Sequence, residues 1–83
     1  MSPLIHDISQ NRNSKAFYAT LTLTARGDWI IYHRGIHAAG AHKADALDAA
    51  NAGLVNLAQR RVKGTIPAEF EYIAQRTSKK WRK

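Results

Sequence analysis

Apolar and polar positions alternate strictly from Phe17 to Thr24. Phe17, Ala19, Leu21 and Leu23 fall on one side, and Tyr18, Thr20, Thr22 and Thr24 on the other. Period-two alternation rich in threonine and aromatics predicts a strand. Arg26-Gly27-Asp28 supplies a turn, and Trp29 to His37 reads as the returning strand of a hairpin. A two-residue loop, either Arg26-Gly27 or Gly27-Asp28, puts Phe17, Ala19, Leu21, Leu23, Ile30, Tyr32 and Ile36 on a common core face. The outer face then carries Tyr18, Thr20, Thr22, Thr24, Trp29, Ile31 and His33. A three-residue loop would turn the second strand over.

Helical spacing takes over after Gly40. Ala44, Leu47, Ala50, Leu54, Leu57, Ala58 and Val62 form one apolar stripe, which predicts a helix from about His42 to Val62. Asp45 and Asp48 sit in its first turns and Arg60, Arg61 and Lys63 in its last, as the helix dipole favours. Gly64 ends it. Gly35 and Gly40 bracket a connection that suits a short third strand or a bulge. Ile66, Phe70, Ile73, Thr77 and Trp81 share a face of a second predicted helix, capped by Thr65 with Pro67 in its first turn. Near the start, Leu4, Ile5 and Ile8 precede a polar run, Ser9 to Lys15, that reads as a loop.

These elements predict a single small domain over residues 1–83 of α+β class. An antiparallel β-hairpin of two to three strands packs on one long helix, making a ββα core over 16–63. A second, basic C-terminal helix or tail occupies 65–83. A chain of 83 residues holds one modest core, and much of the apolar content is alanine, so a homodimer or another partner is a candidate source of stability.

Charge changes the picture most. The net charge is +7, and eight of the thirteen Lys and Arg residues lie between Arg60 and Lys83. Such an imbalance attracts polyanions, whether DNA, RNA or an acidic protein surface. The candidate phosphate contacts are Lys43, Arg60, Arg61, Lys63, Arg76, Lys79, Lys80, Arg82 and Lys83. The candidate stacking or partner face is Tyr18, Trp29, Ile31 and His33 on the outer hairpin, with Trp81 in the tail. Aromatics on an open sheet stack bases, but Ile31 and the threonines look like a packing face, so cover by a dimer mate or the C-terminal helix is the favoured reading over base stacking.

Other chemistries find little support. Absence of cysteine removes disulfides, thiolate catalysis and cysteine zinc sites. His33 and His37, four residues apart on a strand, are separated by roughly 13 Å and cannot share an ion, so no metal or cofactor is expected. The histidines read as surface or nucleic-acid-contacting groups. Asp45 and Asp48 read as dipole-compensating acids rather than a catalytic pair. No nucleophile triad, phosphate loop or dinucleotide fingerprint is present, so the expectation is a protein that is not an enzyme. No leader pattern opens the chain and no apolar run approaches the roughly 20 residues of a membrane span, which predicts a cytoplasmic protein without membrane association.

From Gly40 to Leu54 the order Gly-x-x-x-x-Asp-Ala-Leu-x-x-Ala-x-x-x-Leu resembles the HicB antitoxin family, and Gly64-Thr65-Ile66-Pro67 is similar to a later Gly-x-x-(Ile/Leu)-Pro there. That resemblance implies a partial ribonuclease-H-like fold without catalytic carboxylates, which neutralises a small toxin ribonuclease by binding it. His42 replaces the usual capping threonine, and the chain is basic where that family is acidic. Gly40-Ala41-His42-Lys43 followed by Ala49-Ala50 is also similar to the helix start of double-stranded-RNA-binding domains, where lysines hold phosphates. The leading expectation is therefore a small basic nucleic-acid-binding accessory protein. The alternative is a phage- or mobile-element-type inhibitor, anti-CRISPR or antitoxin-like, that binds an acidic surface of a host protein complex.

Overall fold

The computed structural model describes residues 4–13, 15–35, 40, 42–64 and 66–79. The elements run β1 (Ile5–Asp7), α1 (Ala16–Leu21), β2 (Trp29–Gly35), α2 (Lys43–Asn51), β3 (Val55–Arg61) and β4 (Phe70–Arg76). The four strands form one sheet in the order β1-β2-β4-β3. β1 is parallel to β2, and β4 is antiparallel to both β2 and β3. β1, β2 and β3 therefore point the same way and finish at one end of the sheet. Both helices lie on one face, where Phe17 and Leu21 of α1 and Ala46 and Ala49 of α2 meet Ile30, Tyr32, Val55, Tyr72 and Ala74 of the strands.

The predicted hairpin on one long helix is not the fold; a four-stranded mixed sheet with two short helices replaces it. Residues 16–21 are helical, not the first strand of a hairpin. A six-residue segment satisfies both periods at once, since Phe17 and Leu21 share a face at i,i+4 as well as by alternation. What separates the two readings is Leu23, which as a strand residue belongs in the core and here is 75% exposed. The threonines end the helix. Thr22 Oγ1 donates to the Ala19 carbonyl at 2.6 Å and Thr24 Oγ1 to the Leu21 carbonyl at 2.6 Å, which diverts backbone acceptors from a helical continuation.

The predicted helix over 42–62 is correct at its start and ends eleven residues early, at Asn51. Gly53 takes φ +78°. Its N–H donates to the Ala50 carbonyl and the Leu54 N–H to the Ala49 carbonyl, both at 2.9 Å, a glycine-dependent helix stop. From Val55 the period becomes two, with Val55 and Leu57 turned to the core. The expected C-terminal helix is likewise absent over 70–76. That stretch is β4, whose Phe70, Tyr72 and Ala74 face the helices while Glu71, Ile73 and Gln75 face away. Its alternation and aromatic, β-branched content decide for strand, whereas Ile66, one residue of the predicted helical stripe, is 98% exposed.

Candidate nucleic-acid interface

β1 and β2 are adjacent parallel strands, and crevices outside the carboxyl ends of such strands are where open α/β sheets take ligands. The loop leaving β1 is built from side chains that replace backbone partners. Ser9 donates to Asp7 Oδ1 through its N–H at 2.9 Å and its hydroxyl at 2.6 Å. Asn13 N–H donates to Asn11 Oδ1 and Lys15 N–H to Asn13 Oδ1, each at 2.9 Å. Consecutive turns of this kind fix a loop that has no ladder to join. Burial opposes ionisation of Asp7, but the Ser9 hydrogen bonds and the Arg34 charge outweigh it and hold the carboxyl below its ordinary range.

This loop and the start of α2 are joined by His42, which is 2% exposed and whose Nε2 lies 2.6 Å from the Asn11 carbonyl. Between them opens a cavity of about 270 Å³ lined by residues 9–12, 32–34, Gly40 and His42. β2 is irregular here. Ile31 pairs with Ile73 but His33 pairs with Tyr72, so one extra residue is taken up at Tyr32. The bulge puts both Tyr32 and His33 on the helix side, where the His33 ring stacks on Tyr72 with centroids 5.7 Å apart.

Arg34 is thereby returned to the opposite face. There Arg60 donates to Glu71 Oε1 through Nε at 2.9 Å and Nη2 at 2.5 Å. Arg34 Nη2 donates to Glu71 Oε2 at 2.6 Å and reaches Asp7 Oδ2 at 3.3 Å. The Arg60 hydrogen bonds, with Arg34 adding to them, hold the Glu71 carboxyl below its ordinary range against the opposing effect of burial.

The structure divides the basic residues singled out in the sequence. Lys43, Arg61 and Lys63 are exposed at the end of the sheet where β1, β2 and β3 finish. Arg60 lies there too but is engaged with Glu71. Arg76 and Lys79 lie at the opposite end, because β4 runs back along the sheet. Arg76 Nη1 donates to the Leu54 and Thr77 carbonyls at 3.0 and 3.2 Å, and Lys79 Nζ donates to the Ala52 carbonyl at 2.5 Å. Both hold the turn between α2 and β3. Lys80, Arg82, Lys83 and Trp81 lie outside the described residues. Arg12, Arg34 and the buried His42 join the end that carries Lys43. Sequence reasoning missed the first two because the cavity draws on three separated segments, and read the third as a surface group.

The proposed outer face of Tyr18, Trp29, Ile31 and His33 does not exist as a unit. Tyr18 is on α1, where its hydroxyl donates to Asp48 Oδ2 of α2 at 2.5 Å. Burial first, and then the Asp48 carboxylate, push the Tyr18 hydroxyl up to about 12. Trp29 and Ile31 do share the helix-free face, but Ile31 is 3% exposed; His33 is turned away from them by the bulge. Among the described residues no group of three His, Cys, Asp or Glu side chains is placed to hold a metal ion, and no helix is long and apolar enough to cross a membrane.

Comparison with protein-family models, curated proteins and solved structures finds no match to this chain.

Proposed function

We propose that this is a small basic nucleic-acid-binding accessory protein that holds phosphates at the end of the sheet where β1, β2 and β3 finish. The observation that carries the reading is the gathering of Arg12, Lys43, Arg61 and Lys63, all exposed, from three separate stretches of chain at that one end. Two of the acids nearby, Asp7 and Glu71, are engaged by Arg34 and Arg60. They leave the outer cations to set the local field. Positive charge on a rigid sheet end attracts a phosphate backbone through counterion release and without sequence readout.

The test is fluorescence anisotropy with a labelled oligonucleotide. The double variant R61E/K63E should weaken binding by at least tenfold, and R26E, in the turn at the opposite end, should leave it within about twofold. Equal loss from both variants would mean that net charge alone drives association. Unchanged binding in R61E/K63E would remove this interface.

A further inference from the structure

We propose that the outer edge of β3 is a homodimer seam, along which a second copy of this chain pairs antiparallel about Ala58 and joins two four-stranded sheets into one. The proposal does not rest on the nucleic-acid reading, which uses the end of the sheet and not its edge.

β3 is seven residues long and pairs with β4, and among the described residues no strand lies on its outer side. Natural edge strands are blunted by shortness, proline, bulges or charge. The opposite edge, β1, has only three residues. β3 carries no such device along its middle. Its register with β4 is unbroken from Val55 to Arg61, it lacks proline, and its central Asn56-Leu57-Ala58-Gln59 is uncharged.

The phase of the ladder fixes which backbone groups this edge offers. Val62 N–H donates to the Glu69 carbonyl at 2.8 Å, and Thr77 N–H to the Leu54 carbonyl at 2.9 Å. Both pairs continue the β3–β4 register, so the even-numbered residues of β3 direct their N–H and C=O groups to β4. In an antiparallel ladder the alternate residues point theirs away. Those are Val55, Leu57, Gln59 and Arg61, placed symmetrically about Ala58. A two-fold axis at Ala58 sets Leu57 opposite Gln59 and Val55 opposite Arg61, each as a mutually hydrogen-bonded pair. Every outward group of the strand then finds a partner, as a self-complementary interface requires.

Side chains agree with that register. Ala58 is exposed and meets its own copy at the axis, in the closer kind of pair, where a small residue fits. Arg60 meets Asn56 and Arg61 meets Val55, so no cation lies directly opposite another. Apolar surface flanks the seam on the helix side. Ala46 and Ala49 of α2 face the core, and Asp48 is turned toward α1 by Tyr18. The helical step puts Leu47 on the other flank. Because α1 packs on β2 and α2 on β3, that flank is the one toward the β3 edge, and Leu47 is 45% exposed there.

The experiment is sedimentation of the nuclease-treated full chain over a range of concentrations, at low and high salt. A reversible dimer is expected, tighter at high salt, because screening weakens the repulsion between two chains of charge +7. A58E and A58K each set like charges face to face at the axis and should weaken the dimer about tenfold. Q59P removes an outward N–H but no bond to β4, and should weaken it about as much. Circular dichroism separates loss of the seam from unfolding; if Q59P unfolds, the two exposed changes at Ala58 still decide. The chain has no cysteine, so A58C carries a single thiol that meets its copy at the axis and should oxidise to a disulfide-linked dimer. N56C, out of register with its copy, should not. A chain that stays monomeric at every concentration and salt, or a dimer untouched by A58E, A58K and Q59P, overturns the seam. So does a dimer weakened by A58K but tightened by A58E, since net charge alone would then govern association. Oligonucleotide binding by a monomeric chain would sink the seam and leave the sheet-end interface standing; a dimer without oligonucleotide affinity would do the reverse.

Discussion

The Arg60 guanidinium carbon lies 5.6 Å from the centroid of the Trp29 ring, on the sheet face opposite the helices. Register places Trp29 beside Gln75 and Arg60 beside Glu71, so Ile73 and its neighbour Ile31 lie between the two partners. The indole and the guanidinium approach each other across these isoleucines, which are only 4% and 3% exposed. Arg60 therefore acts as a cover for apolar surface, with its charge held by Glu71, more than as a free cation.

Neighbouring arginines should consequently behave differently. R60A should lower stability by about 1–2 kcal/mol through lost packing and an unpaired Glu71 oxygen, and R60K should recover only part of it, because lysine lacks the planar fork. R61A should change stability by no more than about 0.5 kcal/mol and lower oligonucleotide affinity instead. Chemical denaturation of the three variants checks the contrast.

Glu71 gives the fold an acid-sensitive joint. Its folded pKa is depressed, so its contribution is present above the unfolded carboxyl value and is lost as pH falls through the folded one. Urea midpoints measured from pH 6 downward should decline more steeply in the native chain than in E71Q once the pH drops below about 4.5. Parallel declines would show that Arg34 and Arg60 do not hold the carboxylate.

Gly40 has two reasons to be glycine. Its φ is +93°, and a Cβ would meet His33 Nδ1 at 2.6 Å. G40A should destabilise by about 1–3 kcal/mol, seen as a lower thermal midpoint. G27A, at φ +89° with open space around it, carries the conformational cost alone and should lose less.

Tyr18 joins the two helices through Asp48. Ultraviolet titration should find Tyr18 ionising near 12 rather than near the ordinary 10, with Tyr32 also raised by burial, and D48N should bring the Tyr18 value down. Because the folded value is raised, by burial first and by Asp48 second, the neutral Tyr18 hydroxyl supports the fold below about pH 10, and that support weakens as pH rises toward 12. Y18F should cost about 0.5–1 kcal/mol at neutral pH.

Part of this architecture is legible in the sequence. The strand at Trp29, the alternation of Ile30 and Tyr32 against Trp29 and Ile31, and the helix start at His42 all follow from residue order. Phe17 and Leu21 are read correctly as core, though within the wrong element, because so short a segment fits either period. The helix stop is legible in Asn51-Ala52-Gly53, but leucines at 54 and 57 continue the helical spacing by coincidence and hide it. β4 reads as a helix because Phe70 and Ile73 are also three apart. The site is harder. Lys43, Arg61 and Lys63 stand out as cations, yet Arg12, Arg34 and His42 converge only through the parallel pairing of β1 with β2 and a bulge at Tyr32. Neither feature has a local signature. Contiguity in sequence also misleads, since Arg61 and Arg76 end fifteen residues later at opposite ends of the sheet.

The most direct measurement of the central claim is the affinity for a short DNA or RNA duplex as a function of salt. If Arg12, Lys43, Arg61 and Lys63 each neutralise one phosphate, log K should fall linearly against log salt with a slope of about −3.6 on DNA, and R61E/K63E should flatten it by about half. An affinity that stays constant between low and moderate salt, or no binding to either nucleic acid, would contradict the account.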